Sequence, residues 1–260
     1  MTLPDAYEPA ERDPKKLRRT AWTLVVIMLL GGWLVMKSYE KWAVRQSADD
    51  RPSVVYRIPK ERDLRVIRQD GKTVDLFDLR GHVWAIHVMS LENPAPSERS
   101  LAVMKRLSAS FADTPDFNLV TLAVDSVPAG EVLAKLTQAA EARGMKLPQW
   151  WLGSNEAATL HKFIKNELKA STFPHQENGA WVFDPTIVLI DRNGHIRRAV
   201  VPQKQGGPPY VAAFDFDQAA KWDADGKKTS PHSDRTNVEE LESLLEKTIH
   251  TLLAEKAEAP

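Results

Sequence analysis

The sequence predicts an α/β domain, with a mixed sheet flanked by helices, behind a single apolar helix near its amino end. Three observations support this fold class. From about residue 56 onward, apolar runs of strand length alternate with segments of helical spacing. Asn193-Gly194 joins two such runs, which is the strongest short signal for a β-hairpin in the chain. Residues 21–36 form an apolar run without a single charge, and basic residues precede it.

Composition limits the classes of function. The 260 residues carry 35 basic and 35 acidic side chains, so the net charge is zero and a nucleic acid partner is not expected. There is no cysteine. Its absence excludes disulfides, thiolate metal sites and cysteine nucleophiles together.

The first 55 residues of the sequence predict attachment to a membrane. We expect a cytoplasmic tail (1–20), a transmembrane anchor in contact with lipid (21–37), a charged stalk (38–55) and the domain (56–256). The basic cluster before the apolar run places the tail in the cytoplasm and the domain on the periplasmic side of the cell inner membrane. A cleaved signal peptide is the alternative, although no small-residue cleavage site follows the run. A buried core helix is a third reading.

The central stretch of the domain predicts a strand, a stiff loop and a helix. Val83 to Met89 is an apolar run of strand length, and the helix follows from about Ser97 to Phe111. Pro94 and Pro96 fix the backbone between them. Ser97 is the expected N-cap. This order places residues 93–97 at the carboxyl edge of the sheet, where α/β folds usually carry their chemistry.

The other predicted elements complete the alternation. They are a hairpin turning at Asp70-Gly71, a strand at 117–125, a helix at 130–143, a strand at 149–154, a helix at 157–168, the hairpin at 186–197 and a final helix that opens with a capping box at Thr236. An insertion is expected at about 202–235. Its acidic residues do not match the spacing of a calcium loop, so a solvated segment is predicted, with an added strand or helical turn at 210–214.

The central stretch resembles the Sco/SenC family. The resemblance lies in Gly81-x-Val-Trp, in the two prolines before Leu101-x-x-Met104, in Val124-Asp125 and in the tryptophan-glycine strand at 150–153. It covers about residues 60–200. Sco/SenC proteins are membrane-anchored, thioredoxin-like proteins implicated in copper delivery to cytochrome oxidase and in its thiol reduction. The resemblance therefore implies a thioredoxin-like fold.

This chain departs from the family pattern at the chemically active positions. The two cysteines of the family motif fall on Asn93 and Ser97, and the metal-binding histidine falls on Phe183, beside Asp184 and Pro185. Copper(I) prefers soft thiolate and thioether ligands, so no metal, cofactor or catalytic residue is expected here. Pro185 also resembles the proline, often cis, that faces the active-site loop in thioredoxins and TlpA-like proteins.

The candidate site residues form three groups. The degenerate active-site loop comprises Asn93, Pro94, Pro96 and Ser97. The candidates for lining a cleft are Asp125, Phe183, Asp184 and Pro185. His87, Met89 and His175 are substitute metal ligands, with Met104 on the following helix. His87 is expected to be a core histidine on a buried strand, and His175 to be exposed.

The expected function is non-catalytic. We expect a binding or assembly factor linked to respiratory oxidase biogenesis, and not an enzyme. Its partner would be another membrane or periplasmic protein, either an oxidase subunit or a Sco-like protein. The alternatives are a copper chaperone or enzyme that uses non-thiol ligands, and a TlpA-like scaffold recruited to an unrelated ligand.

Overall fold

A computed structural model describes residues 13–47, 52–128, 130–201, 210–228 and 234–256, with residues 40–47 described by their backbone alone. Residues 1–12 of the predicted tail, residues 48–51 within the predicted stalk, and residues 202–209 and 229–233 of the predicted insertion lie outside these ranges. The amino-terminal helix and the domain beginning at residue 50 are separate units, and each is described by itself.

The first helix, α1, runs from Pro14 to Ser47. Within its segment Pro14–Tyr39, the most apolar 18-residue window has a mean hydropathy of 1.7, and none of that window is buried. Its 26 residues span about 39 Å as a helix, more than the hydrocarbon core of about 30 Å requires. By length and composition alone, α1 can therefore cross a membrane. It extends through the first part of the predicted stalk.

The domain is built on a mixed sheet. In the described residues its strands follow the order β1-β10-β9-β4-β5-β6-β2-β3, and β11 pairs with β10. The strands are β1 Ser53–Arg57, β2 Arg65–Arg68, β3 Thr73–Asp75, β4 Val83–Met89, β5 Phe117–Ala123, β6 Trp150–Ser154, β9 Val188–Ile190, β10 His195–Val201 and β11 Tyr210–Ala212, while β7 His175–Glu177 and β8 Ala180–Val182 form a separate hairpin. The helices are α2 Glu98–Ser110, α3 Val132–Arg143, α4 Ala157–Asn166, α5 Phe216–Ala224 and α6 Asn237–Ala254, and short 3₁₀ turns occur at Lys60–Arg62, Leu76–Leu79 and Ala95–Ser97.

The order and directions of four strands give the thioredoxin arrangement. Strands β4 and β5 are parallel and α2 connects them. Strand β9 runs antiparallel to β4, β10 runs antiparallel to β9, and α6 closes the domain after them. The predicted fold class, a mixed sheet flanked by helices behind an apolar helix, is therefore confirmed.

The two faces of the sheet bury separate apolar clusters. Alternate residues of β4 divide between them, because successive side chains of a strand point to opposite faces. Val83, Ala85 and Met89 join the cluster that includes α2, α3 and α6. Trp84, Ile86 and Val88 join the cluster that includes α4. Every residue of β4 and β5 is buried, which identifies this parallel pair as the centre of the domain.

Two arginines beside the β9–β10 turn tie the ends of the folded unit together. Arg197 is buried, binds Asp191 at 2.7 Å, and donates to the carbonyl of Pro52 and to Glu255 at 3.0 Å each. Arg192 donates to the carbonyl of Gly81 at 2.7 Å and to that of Leu253 at 3.2 Å. Because Gly81 lies two residues before the start of β4 at Val83, both ends lie at the amino edge of the central strands.

The described part of the insertion is structured rather than solvated, so that prediction was wrong. Strand β11 pairs with β10, as the alternative of an added strand anticipated. Phe214, Phe216 and Ala219 are buried in the cluster around α5 and α6 or beside it. The apolar residues between the acidic ones give this segment a face that packs onto the domain. The prediction rested on the acidic residues and did not take this apolar face into account.

Candidate functional site

The degenerate active-site loop lies where the sequence places it, between β4 and α2. Strand β4 ends at Met89, the chain turns through residues 90–94, and the 3₁₀ turn Ala95–Ser97 leads into the helix. Met89 is in register with Ala123 of β5. Because the two strands are parallel, the loop comes to lie beside the end of β5, where Asp125 follows.

Asp125 holds this loop from below. Its carboxylate accepts hydrogen bonds from the hydroxyl of Ser90 at 2.7 Å and from the backbone N–H groups of Leu91 at 2.5 Å and Glu92 at 3.3 Å. The Ser90 hydroxyl in turn accepts the N–H of Asn93 at 3.0 Å. Asp125 is 1% exposed. One buried carboxylate therefore fixes the loop backbone from 90 to 93 through charge-assisted hydrogen bonds.

Ser97 stands at the N-cap position of α2 but does not cap it. No hydrogen bond joins its side chain to the helix, and its hydroxyl donates instead to the carbonyl of Pro94 at 3.0 Å. The prediction of a capping hydroxyl was therefore wrong. Its backbone explains why: φ is −113° and ψ is 5°, outside the extended conformation in which a capping side chain reaches the N2 or N3 amide.

The two positions that replace the family cysteines have different surroundings. Ser97 is fully buried, whereas Asn93 is only half-buried. The Asn93 carboxamide makes no hydrogen bond within the described part of the chain, although its backbone N–H is bound. Glu92 and Ala95 are exposed beside it. The loop thus presents a polar outer surface over a buried, hydrogen-bonded interior.

The segment 183–186 packs against α2, the helix that follows the loop. The carbonyl of Pro185 accepts a hydrogen bond from the hydroxyl of Ser100 in α2 at 2.6 Å. Phe183 is buried in the cluster next to α4. The cis peptide bond of the described residues joins Leu147 to Pro148, so the bond before Pro185 is trans. Pro185 therefore faces the loop helix without the cis geometry that the resemblance suggested.

Asp184 organises this second segment as Asp125 organises the first. Its carboxylate accepts the backbone N–H groups of Ser171 at 2.5 Å and Thr186 at 3.0 Å. Burial by itself would raise the pKa of Asp184, but the hydrogen bonds from Thr186 and Ser171 outweigh it and hold the pKa below its ordinary value. The four candidates for lining a cleft do not share one: Asp125 and Phe183 are buried, and Asp184 alone borders a cavity.

The substitute metal ligands are not brought together. His87 is fully buried, and burial lowers its pKa to about 3, so its ring is neutral. Its Nδ1 lies 3.2 Å from the hydroxyl of Thr121, while Nε2 has no hydrogen-bond partner within the described residues. His175 is exposed in the separate β7–β8 hairpin. Met89 is fully buried, as is Met104. Across the described ranges, no three histidine or acidic side chains cluster as a metal site.

One buried histidine was not predicted from the sequence. His161 of α4 is 6% exposed and makes edge-on contacts with the rings of Trp181 and Phe173. Its Nε2 lies 2.8 Å from the carbonyl of Val124 and must donate, because a carbonyl only accepts. It therefore holds the end of β5 directly beside Asp125. Its spacing of three residues from Ile164 is the signal that could have identified it.

Comparisons with known proteins add a set of similar structures. No family model matches the chain, and no curated protein matches it by sequence. A SCO1/SenC family lipoprotein from Bacillus anthracis is 18% identical over 75% of this chain and 97% of its own, with a TM-score of 0.45.

Two further structures belong to the same set. BsSco, a member of the Sco family of cytochrome c oxidase assembly proteins, is 15% identical over 75% of this chain and 94% of its own, with a TM-score of 0.49. Copper-bound ScoI from Bradyrhizobium japonicum is 18% identical over 74% and 99%, with a TM-score of 0.43. Sco and SenC structures are thus among those that this chain is similar to, and the thioredoxin-like arrangement itself follows from the order and directions of its strands.

Proposed function

We propose that this protein is a membrane-anchored, non-catalytic binding or assembly factor that acts beside a respiratory oxidase or another Sco-like protein. Residues 90–97, called the contact loop from here on, form its proposed contact surface. Cytochrome c oxidase assembly is the role named for the similar BsSco. The oxidase link is carried to this chain by that likeness, and the contact surface by the geometry of the loop.

The observation that carries the proposal is the buried carboxylate of Asp125 beneath a loop without thiols. Three groups of the loop are bound to this carboxylate, so its shape does not depend on a disulfide or a metal. Holding a carboxylate in the interior requires that its hydrogen bonds be satisfied, as they are here. A fixed loop with a polar exterior is suited to recognition by a partner.

The side chains of the contact loop do not favour catalysis. Ser97 is buried, and its hydroxyl is committed to the carbonyl of Pro94. A serine nucleophile needs a base within hydrogen-bond reach, and none is bonded to this hydroxyl in the described structure. The Ser90 hydroxyl donates to Asp125 and accepts from the backbone N–H of Asn93, so it serves as a structural bridge between them.

The contact surface can be tested by site-specific photocrosslinking in cells. A crosslinking amino acid replaces Glu92 or Ala95 in the contact loop, and Glu141 on the exposed surface of α3 serves as the matched control. We expect adducts with one membrane or periplasmic protein from positions 92 and 95, and none from 141. Equal labelling from all three positions, or none from the loop, would contradict the contact surface.

The same adducts test the link to the oxidase. Mass spectrometry of the crosslinked band should identify an oxidase subunit or a Sco-like protein. A partner outside respiration would remove the oxidase role while leaving the contact surface intact. Anchoring is tested separately: the intact chain should keep its amino-terminal residues and stay with membranes in a high-salt wash, whereas a soluble form starting near residue 40–50 would show cleavage.

The copper chaperone remains the second candidate, and the observation that favours it is the buried Nε2 of His87, which has no hydrogen-bond partner within the described residues. We expect no copper(I) binding tighter than about micromolar in competition with a chelator, because no thiolate is present. Stoichiometric binding that is lost in His87→Phe and retained in His175→Phe would instead assign the metal to the buried ring.

A further inference from the structure

A cavity on the opposite face of the sheet from α2 has no role in the proposed function. It has a volume of about 160 Å³ and opens partly to solvent. Its apolar wall comes from central strands and from α4, and consists of Ile86, Val88, Ile164, Leu168 and Val188. Its rim carries two basic side chains, Lys169 and Arg198, and two acidic ones, Asp184 and Asp215.

The acidic side chains of the rim already have hydrogen-bond donors. Asp184 accepts two backbone N–H groups, as described above. Asp215 is the N-cap of α5 and accepts the N–H of Gln218 at 2.9 Å. Both carboxylates therefore stabilise the turns that surround the cavity, and their oxygens accept hydrogen bonds from nearby backbone N–H groups.

The basic side chains of the rim have no carboxylate partner within the described residues. Arg198 is half-buried, and its guanidinium makes no hydrogen bond or ion pair within the described residues. Lys169 stacks its ammonium over the ring of Tyr56 at 3.6 Å and has no carboxylate partner there. The five N–H donors of the Arg198 guanidinium match the geometry of a carboxylate, and no acceptor within the described residues occupies them.

The backbone adds a further observation on the same rim. Lys169 has a φ of +59°, a left-handed conformation that bulky residues seldom adopt. It occurs just after α4, where glycine usually ends a helix in this conformation. The chain thus carries a cation, instead of the less strained glycine, at the rim of the cavity. Strain of this kind is frequent where a side chain contacts a ligand.

We propose that this cavity binds a small organic carboxylate, with its apolar body against β4 and α4 and its carboxylate on Arg198 and Lys169. The volume suits a body of about the size of one benzene ring. Arg198 provides bidentate recognition, and Lys169 adds a point charge.

The test uses the full chain in lipid nanodiscs, with methyl-labelled isoleucine, leucine and valine, titrated with benzoate. Saturable shifts are expected for the methyl groups of Ile86, Val88 and Ile164, with a Kd below about 1 mM. Benzamide has the same shape without the charge and should bind at least about tenfold more weakly.

Variants separate anion recognition from simple filling of the cavity. Arg198→Gln should weaken benzoate by about tenfold or more, and Lys169→Asn, which tolerates the left-handed backbone, by a smaller factor. Arg143→Gln is the matched control, because Arg143 is half-buried on α3 and does not border the cavity. It should leave binding unchanged.

Three results would overturn the proposal. The first is the absence of saturable shifts at the cavity. The second is equal binding of benzamide and benzoate, and the third is full binding by both Arg198→Gln and Lys169→Asn. Photocrosslinking at the contact loop does not depend on any of them, so a failure here leaves the proposed function standing.

Discussion

The contact loop and the segment 183–186 are fixed in the same way but differ in what surrounds them. Each is held by one aspartate that accepts backbone N–H groups, Asp125 in the first case and Asp184 in the second. Beneath the contact loop Ser90, Ser97 and Asp125 are buried, and the loop presents an outer surface. Asp184 instead borders a cavity, whose rim carries Arg198 without a hydrogen-bond partner in the described part of the chain.

The difference lies in what packs behind each carboxylate. Asp125 has Ser90 as a second bridge, and β5 is buried along its whole length. Asp184 lies between β8 and β9, where the chain enters the central sheet, and it borders the cavity. A hydrogen-bonded carboxylate thus fixes the shape of a loop, while the packing around it decides whether the result is a surface or a site.

The largest expected effect is the loss of Asp125. Asp125→Ala leaves the Ser90 hydroxyl and two backbone N–H groups without an acceptor, and should lower the free energy of unfolding by about 3 kcal/mol. Urea denaturation of residues 50–260 measures it, with Asp113→Ala, at an exposed position, as the control. A loss below about 1 kcal/mol would show that the loop does not depend on this carboxylate.

Acid should affect His87, in the strand that leads into the contact loop, and Asp184 in different windows of pH. The lowered pKa of His87 means that the unfolded chain binds a proton below 6.5 that the folded one binds only near 3. Stability should therefore fall as the pH decreases below 6.5, by at most about 1.4 kcal/mol per unit. The contribution of Asp184, whose pKa is lowered from 3.8, should persist above that value and disappear as the pH falls through the lowered one.

Two variants assign these windows. His87→Phe should flatten the fall in unfolding free energy between about pH 6.5 and 4.5, and Asp184→Asn should flatten the part below about pH 4. The measurement is a series of urea denaturation curves across pH for each variant. An unchanged slope in His87→Phe between pH 6.5 and 4.5 would mean that another group titrates there.

Ser100 connects the two regions and should have an intermediate effect. Ser100→Ala removes the donor to the carbonyl of Pro185 and leaves that carbonyl without its partner, at a cost of about 1 to 2 kcal/mol in the free energy of unfolding. Ser110→Ala, exposed at the end of the same helix, should change stability by less than about 0.5 kcal/mol. Equal effects of the two would mean that the link between the regions is not energetically important.

The smallest effects are expected within the contact loop itself. Ser97→Ala should cost about 1 kcal/mol, because one buried hydrogen bond within the turn is lost. Asn93→Ala should stay within about 0.5 kcal/mol, since its carboxamide is not hydrogen-bonded in the described structure. The same denaturation assay compares them. A larger loss for Asn93→Ala than for Ser97→Ala would reverse the assignment of inner and outer positions.

The elements of the fold could be read from the sequence because their signals are local. The apolar run 83–89, the Asn193-Gly194 turn and the capping box at Thr236 each depend on neighbouring residues, and all three are found. The helix after the contact loop begins at Glu98, one residue from the prediction. The thioredoxin-like fold was expected from the resemblance, and the order of the strands follows from none of these local signals.

The site was less predictable because its contacts are distant in sequence. Ser90 and Asp125 are 35 residues apart, and Ser100 and Pro185 are 85 apart. No local pattern in the sequence indicates contacts between residues so far apart. Asp125 was a candidate for lining a cleft, yet it is a structural acceptor. Ser97 followed the usual preference for an N-cap, and a 3₁₀ turn before the helix placed its hydroxyl elsewhere.

The two arginines beside the β9–β10 turn have a practical consequence. Arg197 binds Pro52 and Glu255, at the entry and exit of the folded unit, and Arg192 binds the carbonyls of Gly81 and Leu253. These contacts lie at the amino edge of the central strands. The contact loop emerges at the other end of β4, seven residues and roughly 20 Å away. The contact loop therefore lies at the opposite end of β4 from the residues where the chain enters and leaves the folded unit. A fluorescent reporter fused after residue 256 would lie near the contacts of Arg197 and would leave the contact loop unobstructed.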